Sequence, residues 1–310
     1  MNPPTPLRPD SSFDPGTVAP AEPAATRPFY WSVRREIWEN RSLWVAPLVV
    51  TSLVLLASLI GLAALPRKLQ QLPAPDAAQL HVEPFRPFDM APAPIMFASL
   101  LVGLFYSLDA LYGERRDRSI LFWKSLPVSD RTAVLAKACV PLVVLPAIAL
   151  ALSVVTVAAL TLLGSAVLLA SGTSAAPLWA GQRIVQEPTI MLYGLTVHAL
   201  WFAPIYAWLL LVSAWARRLP LLWAALPPFA LAAVEKVALG TAHVPALLGY
   251  RVSGAMTEAF AAEAHDGHVD RVAQLDALRF LGSPGLWLGL AFAAICLAVA
   301  VRLRRDREPI

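Results

Sequence analysis

Six apolar stretches run through this chain, and each is long enough to cross a bilayer. A helix rises about 1.5 Å per residue, so roughly 20 apolar residues are needed to span the hydrocarbon core. The stretches at about 43–65, 91–112, 138–163, 190–215, 219–242 and 282–302 meet that length. In lipid every backbone N–H and C=O needs an internal partner, which makes helix the conformation for such runs. With 57% of its residues hydrophobic and 15% charged, the expected fold is an all-α integral membrane protein of six transmembrane helices. The third run continues apolar to Ala170 and exceeds one span, which predicts tilt or a break near Gly164. Pro227 and Pro228 interrupt the fifth, and Glu235 and Lys236 charge its far end.

The remaining segments differ in character. Residues 1–28 hold eight of the 28 prolines among alanine and small polar residues, the composition of a disordered tail. This tail lacks the apolar h-region of a secretory signal and is expected to stay on the protein. Residues 29–41, FYWSVRREIWENR, read as an interfacial amphipathic helix. Tyr30, Val33 and Ile37 share its apolar face, Trp31 and Trp38 flank them, and Arg35, Glu36 and Glu39 lie opposite. Arg34 and Arg41 interrupt the apolar face unless their stems reach toward headgroup phosphates; a plain linker is the alternative. Residues 42–303 form the membrane domain, 243–281 an outer loop with short helices, and 304–310 a second cytoplasmic tail.

Charge sets the orientation. Of the 25 Lys and Arg residues, 17 fall on the side shared by both termini, the second loop and the fourth loop. By the positive-inside rule this side is cytoplasmic, giving an N-in, C-in protein. The net charge of +4 therefore reflects topology, and nucleic acid is not an expected partner. Cys139 and Cys296 both lie inside apolar runs, which argues against a disulfide framework.

Catalytic chemistry is sparse. No phosphate-cradling G-x-x-x-x-G-K-[ST] occurs, nor H-E-x-x-H, nor G-x-S-x-G. No catalytic residue and no metal site is expected, and His265 and His268 in EAHDGH read as a solvated loop. Glu235 has two readings: a side chain at the outer membrane interface, or one lining a translocation path. His198, near Trp201, Tyr206 and Trp208, reads as a packed or hydrogen-bonded helix residue, and Asp109 marks where the second span ends.

The strongest functional signal is the loop at 113–137. Glu114, Arg115, Arg116 and Arg118 form a charge cluster with Asp117. Ile120, Leu121, Phe122, Trp123 and Leu126 follow, with Lys124 among them, too few to cross a bilayer and closed by Pro127. Such a patch marks a protein interface or a membrane-surface helix. Ser129 or Asp130 supplies the cap of the next helix.

The block Leu111–Asp130, LYGERRDRSILFWKSLPVSD, resembles the first cytoplasmic loop of ABC-2 type exporter permeases. That resemblance implies the membrane-spanning permease subunit of an ATP-driven exporter in the inner (plasma) membrane. It further implies a separate ABC ATPase subunit that binds ATP and Mg, and a second permease chain, identical or a paralogue. This chain itself would carry no cofactor and would not be an enzyme. In such permeases the short loop helix docks in a groove of the ATPase, which here would fall to Glu114, Arg115, Arg116, Arg118, Ile120, Leu121, Phe122, Trp123 and Lys124. A membrane anchor, or a signalling or assembly component without transport activity, is the alternative.

Overall fold

The computed structural model describes residues 27–62, 66–67, 90–125, 128–179, 181–261 and 272–306. Expectations for the 1–26 tail, for nearly all of the 66–90 loop, for Leu126 and Pro127 and for the EAHDGH segment lie outside them. The described residues are almost entirely helical, and six helices are long and apolar enough to cross a membrane. The chain is a multi-pass membrane protein in its architecture.

In order, α1 is Pro28–Glu39, α2 Ser42–Leu62, α3 Pro92–Asp109, α4 Tyr112–Arg116 and α5 Ile120–Ser125. Then come α6 Asp130–Cys139, a π turn at Val140–Val144 and α7 Leu145–Ala170. The remainder is α8 Gly181–Trp215, α9 Pro220–Leu239, α10 His243–Ala259, α11 Ala277–Gly282 and α12 Pro284–Asp306. The candidate spans are α2, α3 with α4, α6 through α7, α8 from Pro188, α9 and α12.

Two spans form the centre of the bundle. About 44% of the most apolar window is buried inside the chain in the second and fourth spans, against 11% in the fifth. Helices α8 and α12 make the most extensive pair, and α3 meets both α2 and α7. Ala203, Ala207, Ala293 and Cys296 line the α8–α12 seam, and small side chains of this kind let two backbones approach in lipid. Gly103 of α3 serves the same end, because a Cβ there would sit 3.1 Å from the Tyr206 ring and 3.4 Å from Pro141.

The long third run breaks at a different place from the one its length suggests. Gly164 is buried within an uninterrupted helix, and the irregularity lies at Val140–Val144. There the Leu145 N–H donates to Val140 O, five residues back. Pro141 and Pro146, which lack the N–H that an α-turn needs, frame this widened turn. The fifth span is continuous despite Pro227 and Pro228. It starts at Leu219, whose φ of +50° is left-handed, and ends at Gly240 with φ +67°.

The described parts of the 243–281 segment hold a longer helix than the short ones expected. Helix α10 starts at His243, well before the VSGAMTEA run, and a short antiparallel bridge joins Phe260 to Leu275. Arg251 holds it to the bundle. Its guanidinium donates to Trp201 O (3.1 Å) and Gly285 O (2.6 Å) and lies 4.5 Å from the Trp201 ring centroid.

Candidate functional site

At one end of the bundle α1, the α3–α4 corner, the start of the third span and the end of α12 converge on a buried ion network. Glu36 of α1 is 2% exposed. Its Oε1 accepts from Lys137 Nζ at 2.9 Å and Arg35 Nη2 at 2.6 Å, and its Oε2 accepts from the Tyr106 hydroxyl at 2.8 Å. Glu114 accepts from Arg35 (3.2 Å) and Arg304 (3.3 Å), with Lys137 Nζ at 3.2 Å from its Oε1. Arg304 also binds Asp130. Three carboxylates therefore face three cations across the network, with Asp130 and Arg35 only partly buried.

The electrostatics follow the geometry. Burial pushes the Glu36 carboxyl up, but Lys137 and then Arg35 outweigh it and hold the group below the usual carboxylate range. Glu39 at the rim, 3.6 Å from Arg35, is instead pushed up by burial. Removing one partner of a buried pair costs about 3–5 kcal/mol, because the other charge is left without compensation.

A second set of bonds fixes the loop to the fourth span. The Ser213 hydroxyl accepts from the Leu111 N–H (3.0 Å) and the Tyr112 N–H (2.8 Å). Arg115 Nη2 donates to Ser213 O (3.0 Å) and Ala216 O (2.5 Å). A cation on the last carbonyls of α8 satisfies acceptors that have no partner within the helix and offsets its dipole. The loop is thus tied to the ends of α1, α6, α8 and α12.

On this mount sits the six-residue helix α5. Ile120 points inward and is 2% exposed, while Leu121 and Phe122 are each 60% exposed. Trp123 is half-buried, its ring 3.9 Å from the Arg35 guanidinium and edge-on to Phe122 at 4.8 Å. Lys124 Nζ donates to Arg305 O (3.1 Å). Arg118, between α4 and α5, has a left-handed φ of +59°, and the reversal it makes turns α5 away from α4.

No protein-family model, curated protein or solved structure matches this chain.

The nine loop residues singled out by the sequence divide into two groups. Glu114, Arg115 and Ile120 are inside the chain, and Trp123 is braced against Arg35, so none of these four presents a free side chain. Arg116, Arg118, Leu121, Phe122 and Lys124 are exposed. Arg116 pairs with Asp117 (2.9 Å) and approaches Asp109 (3.7 Å) at the surface. Ser129, not Asp130, caps α6, its hydroxyl accepting from the Thr132 N–H at 3.1 Å. Asp130 is held by Arg304 instead.

Glu235 is placed in a local structural role. Its carboxylate accepts from the Thr241 hydroxyl (2.7 Å) and from the N–H groups of His243 (2.6 Å) and Val244 (2.7 Å). These N–H groups open α10, so Glu235 caps the next helix, and Lys236 beside it is exposed. His198 shares a 3.2 Å hydrogen bond with the Tyr206 hydroxyl and lies 4.9 Å from the Phe202 ring.

Sequence reasoning missed the network. It set Arg35, Glu36 and Glu39 on the polar side of α1, yet Glu36 is the most buried residue of that helix. One signal was present: Lys137 and Arg304 sit where apolar runs begin and end, and a cation there needs an anion or water. Which anion, and from which helix, depends on contacts about a hundred or more residues apart.

Proposed function

We propose that this chain is the membrane-spanning permease subunit of an ABC-2 type ATP-driven exporter, in the inner (plasma) membrane. In this reading the loop end of the bundle faces the cytoplasm, and a separate ATPase subunit holds ATP and Mg. The observation that carries it is the division of labour in α5: Leu121 and Phe122 are exposed on a helix whose Ile120, Trp123 and Lys124 are tied to the membrane bundle. An exposed apolar pair on a flexible loop would transmit nothing. One mounted through Arg35, Glu114 and Arg115 passes a push to α3, α6, α8 and α12 together. Two permease chains would enclose a path for the substrate.

The competing reading, a membrane anchor or assembly factor, also needs the exposed pair but not the rigid mount. The test is co-purification from native membranes combined with transport. Truncating a central aromatic contact costs about 2 kcal/mol or more, roughly thirtyfold in affinity. Phe122→Ala should therefore weaken ATPase association by about thirtyfold and abolish ATP-dependent export, with normal membrane insertion. Association without any ATPase among the partners would favour the anchor.

A further inference from the structure

The face of α1 opposite Glu36 has its own chemistry. Ser32 and Glu36 point inward and are buried, so the helical repeat turns Trp31, Arg34 and Trp38 to the other side. Trp31 is 56% exposed and Trp38 65%, with Tyr30 beside them at 54%. The Arg34 guanidinium lies over both indoles, 5.1 Å from the Trp31 ring centroid and 4.3 Å from that of Trp38. Among the described residues Arg34 makes no hydrogen bond or ion pair. Its N–H groups are thus left without an acceptor, while its central carbon lies over the two rings. Arg27 and Arg41 flank this face and are also exposed.

Three features define what fits here. The cations require an anion, and no carboxylate of the described chain supplies one. A planar guanidinium favours an acceptor that presents two oxygens to its fork, as a phosphate does. The surrounding aromatic surface fits the boundary between headgroup and acyl chain, where Trp and Tyr collect. Helix α1 packs on α6 and stands two residues before α2, and Trp44 on the first turn of α2 is also exposed. The face is therefore level with the mouths of the spans.

We propose that the outward face of α1 binds the headgroup phosphate of an anionic phospholipid, with Arg34 as its ligand and Trp31 and Trp38 as its walls. The site needs only that the chain sits in a membrane, and it does not depend on the exporter reading. Lipid bound here would lie on the same helix that carries Glu36, with the headgroup on one face and the ion network on the other.

The test uses the full-length protein in detergent, titrated with phosphatidylglycerol or phosphatidylcholine, with bound lipid counted by native mass spectrometry. Wild type should retain phosphatidylglycerol in preference to phosphatidylcholine. Arg34→Gln should lower that retention by about tenfold, as expected for loss of a charge-assisted bond, with an unchanged melting temperature. Arg34→Lys, which keeps charge but not the fork, should fall between them. Trp31→Ala with Trp38→Ala should lower retention while leaving Arg34 in place. Equal retention by wild type and Arg34→Gln would overturn the proposal. So would displacement of the lipid by millimolar inorganic phosphate, which would make free phosphate the ligand. Exclusion of lipid from this face by a co-purified protein would also overturn it.

Discussion

Glu36 is the residue on which the most depends. It carries a full charge inside the chain, satisfied on three sides by Lys137, Arg35 and Tyr106. Its folded carboxyl titrates lower than the unfolded one. Its stabilisation is therefore complete above the unfolded value of 4.5 and is lost as pH falls through the lower folded value. Glu39, raised by burial, works in the opposite direction but is nearly half exposed, so Glu36 sets the sign. Thermal melts of purified protein should thus be flat from neutral pH to about 4.5 and fall below it. Glu36→Gln should flatten that acid limb and lower the melt at neutral pH, because Lys137 then lacks its closest anion. Lys137→Met should destabilise by about 3–5 kcal/mol. Lys137→Met combined with Glu36→Leu should recover part of this loss, since the double change removes both buried charges.

Helix α5 and the turn before it separate mounting from contact. From sequence Phe122 and Trp123 read together as docking anchors, the two aromatics of one apolar patch. The structure separates them: it sets the Trp123 ring against Arg35 and leaves Phe122 outward. A six-residue helix has no periodicity long enough to reveal its inner face, and the partner that decides it lies on α1. Trp123→Ala should therefore lower the melting temperature and loosen α1, whereas Phe122→Ala should leave the melt unchanged. Hydrogen exchange over α1 reads this directly: faster exchange in Trp123→Ala and wild-type exchange in Phe122→Ala. The turn offers an independent check. Left-handed geometry costs a non-glycine residue about 1–2 kcal/mol, so Arg118→Gly should raise the melt slightly and Arg118→Val should lower it.

For the whole molecule, what the sequence conveys divides along a physical line. The six apolar helices were legible because hydropathy over about 20 residues is a local property. The π turn was not legible, since its position depends on backbone bonding around Pro141 rather than on length. Nor was the network, which depends on which charges meet across the fold. Sidedness is a separate matter and belongs to experiment. With Cys139 and Cys296 replaced, a single cysteine at Ser174 should react with an impermeant thiol reagent applied to intact cells. One at Ser125 should react only after the membrane is opened. Labelling of Ser125 from outside would reverse the orientation and with it the proposed exporter.

The link between Glu114 and Arg304 spans 190 positions of the chain. At about 5–20 residues per second, a ribosome takes on the order of 10–40 s to deliver Arg304 after Glu114 has emerged. Until Arg304 arrives Glu114 has only Arg35 and, once it has emerged, Lys137 available, and Asp130 lacks its guanidinium. The loop therefore reaches its final form only when the last helix is in place. A nascent chain that stalls before α12 would display an uncompensated carboxylate at the membrane surface, a feature by which degradation machinery could tell an unfinished copy from a finished one.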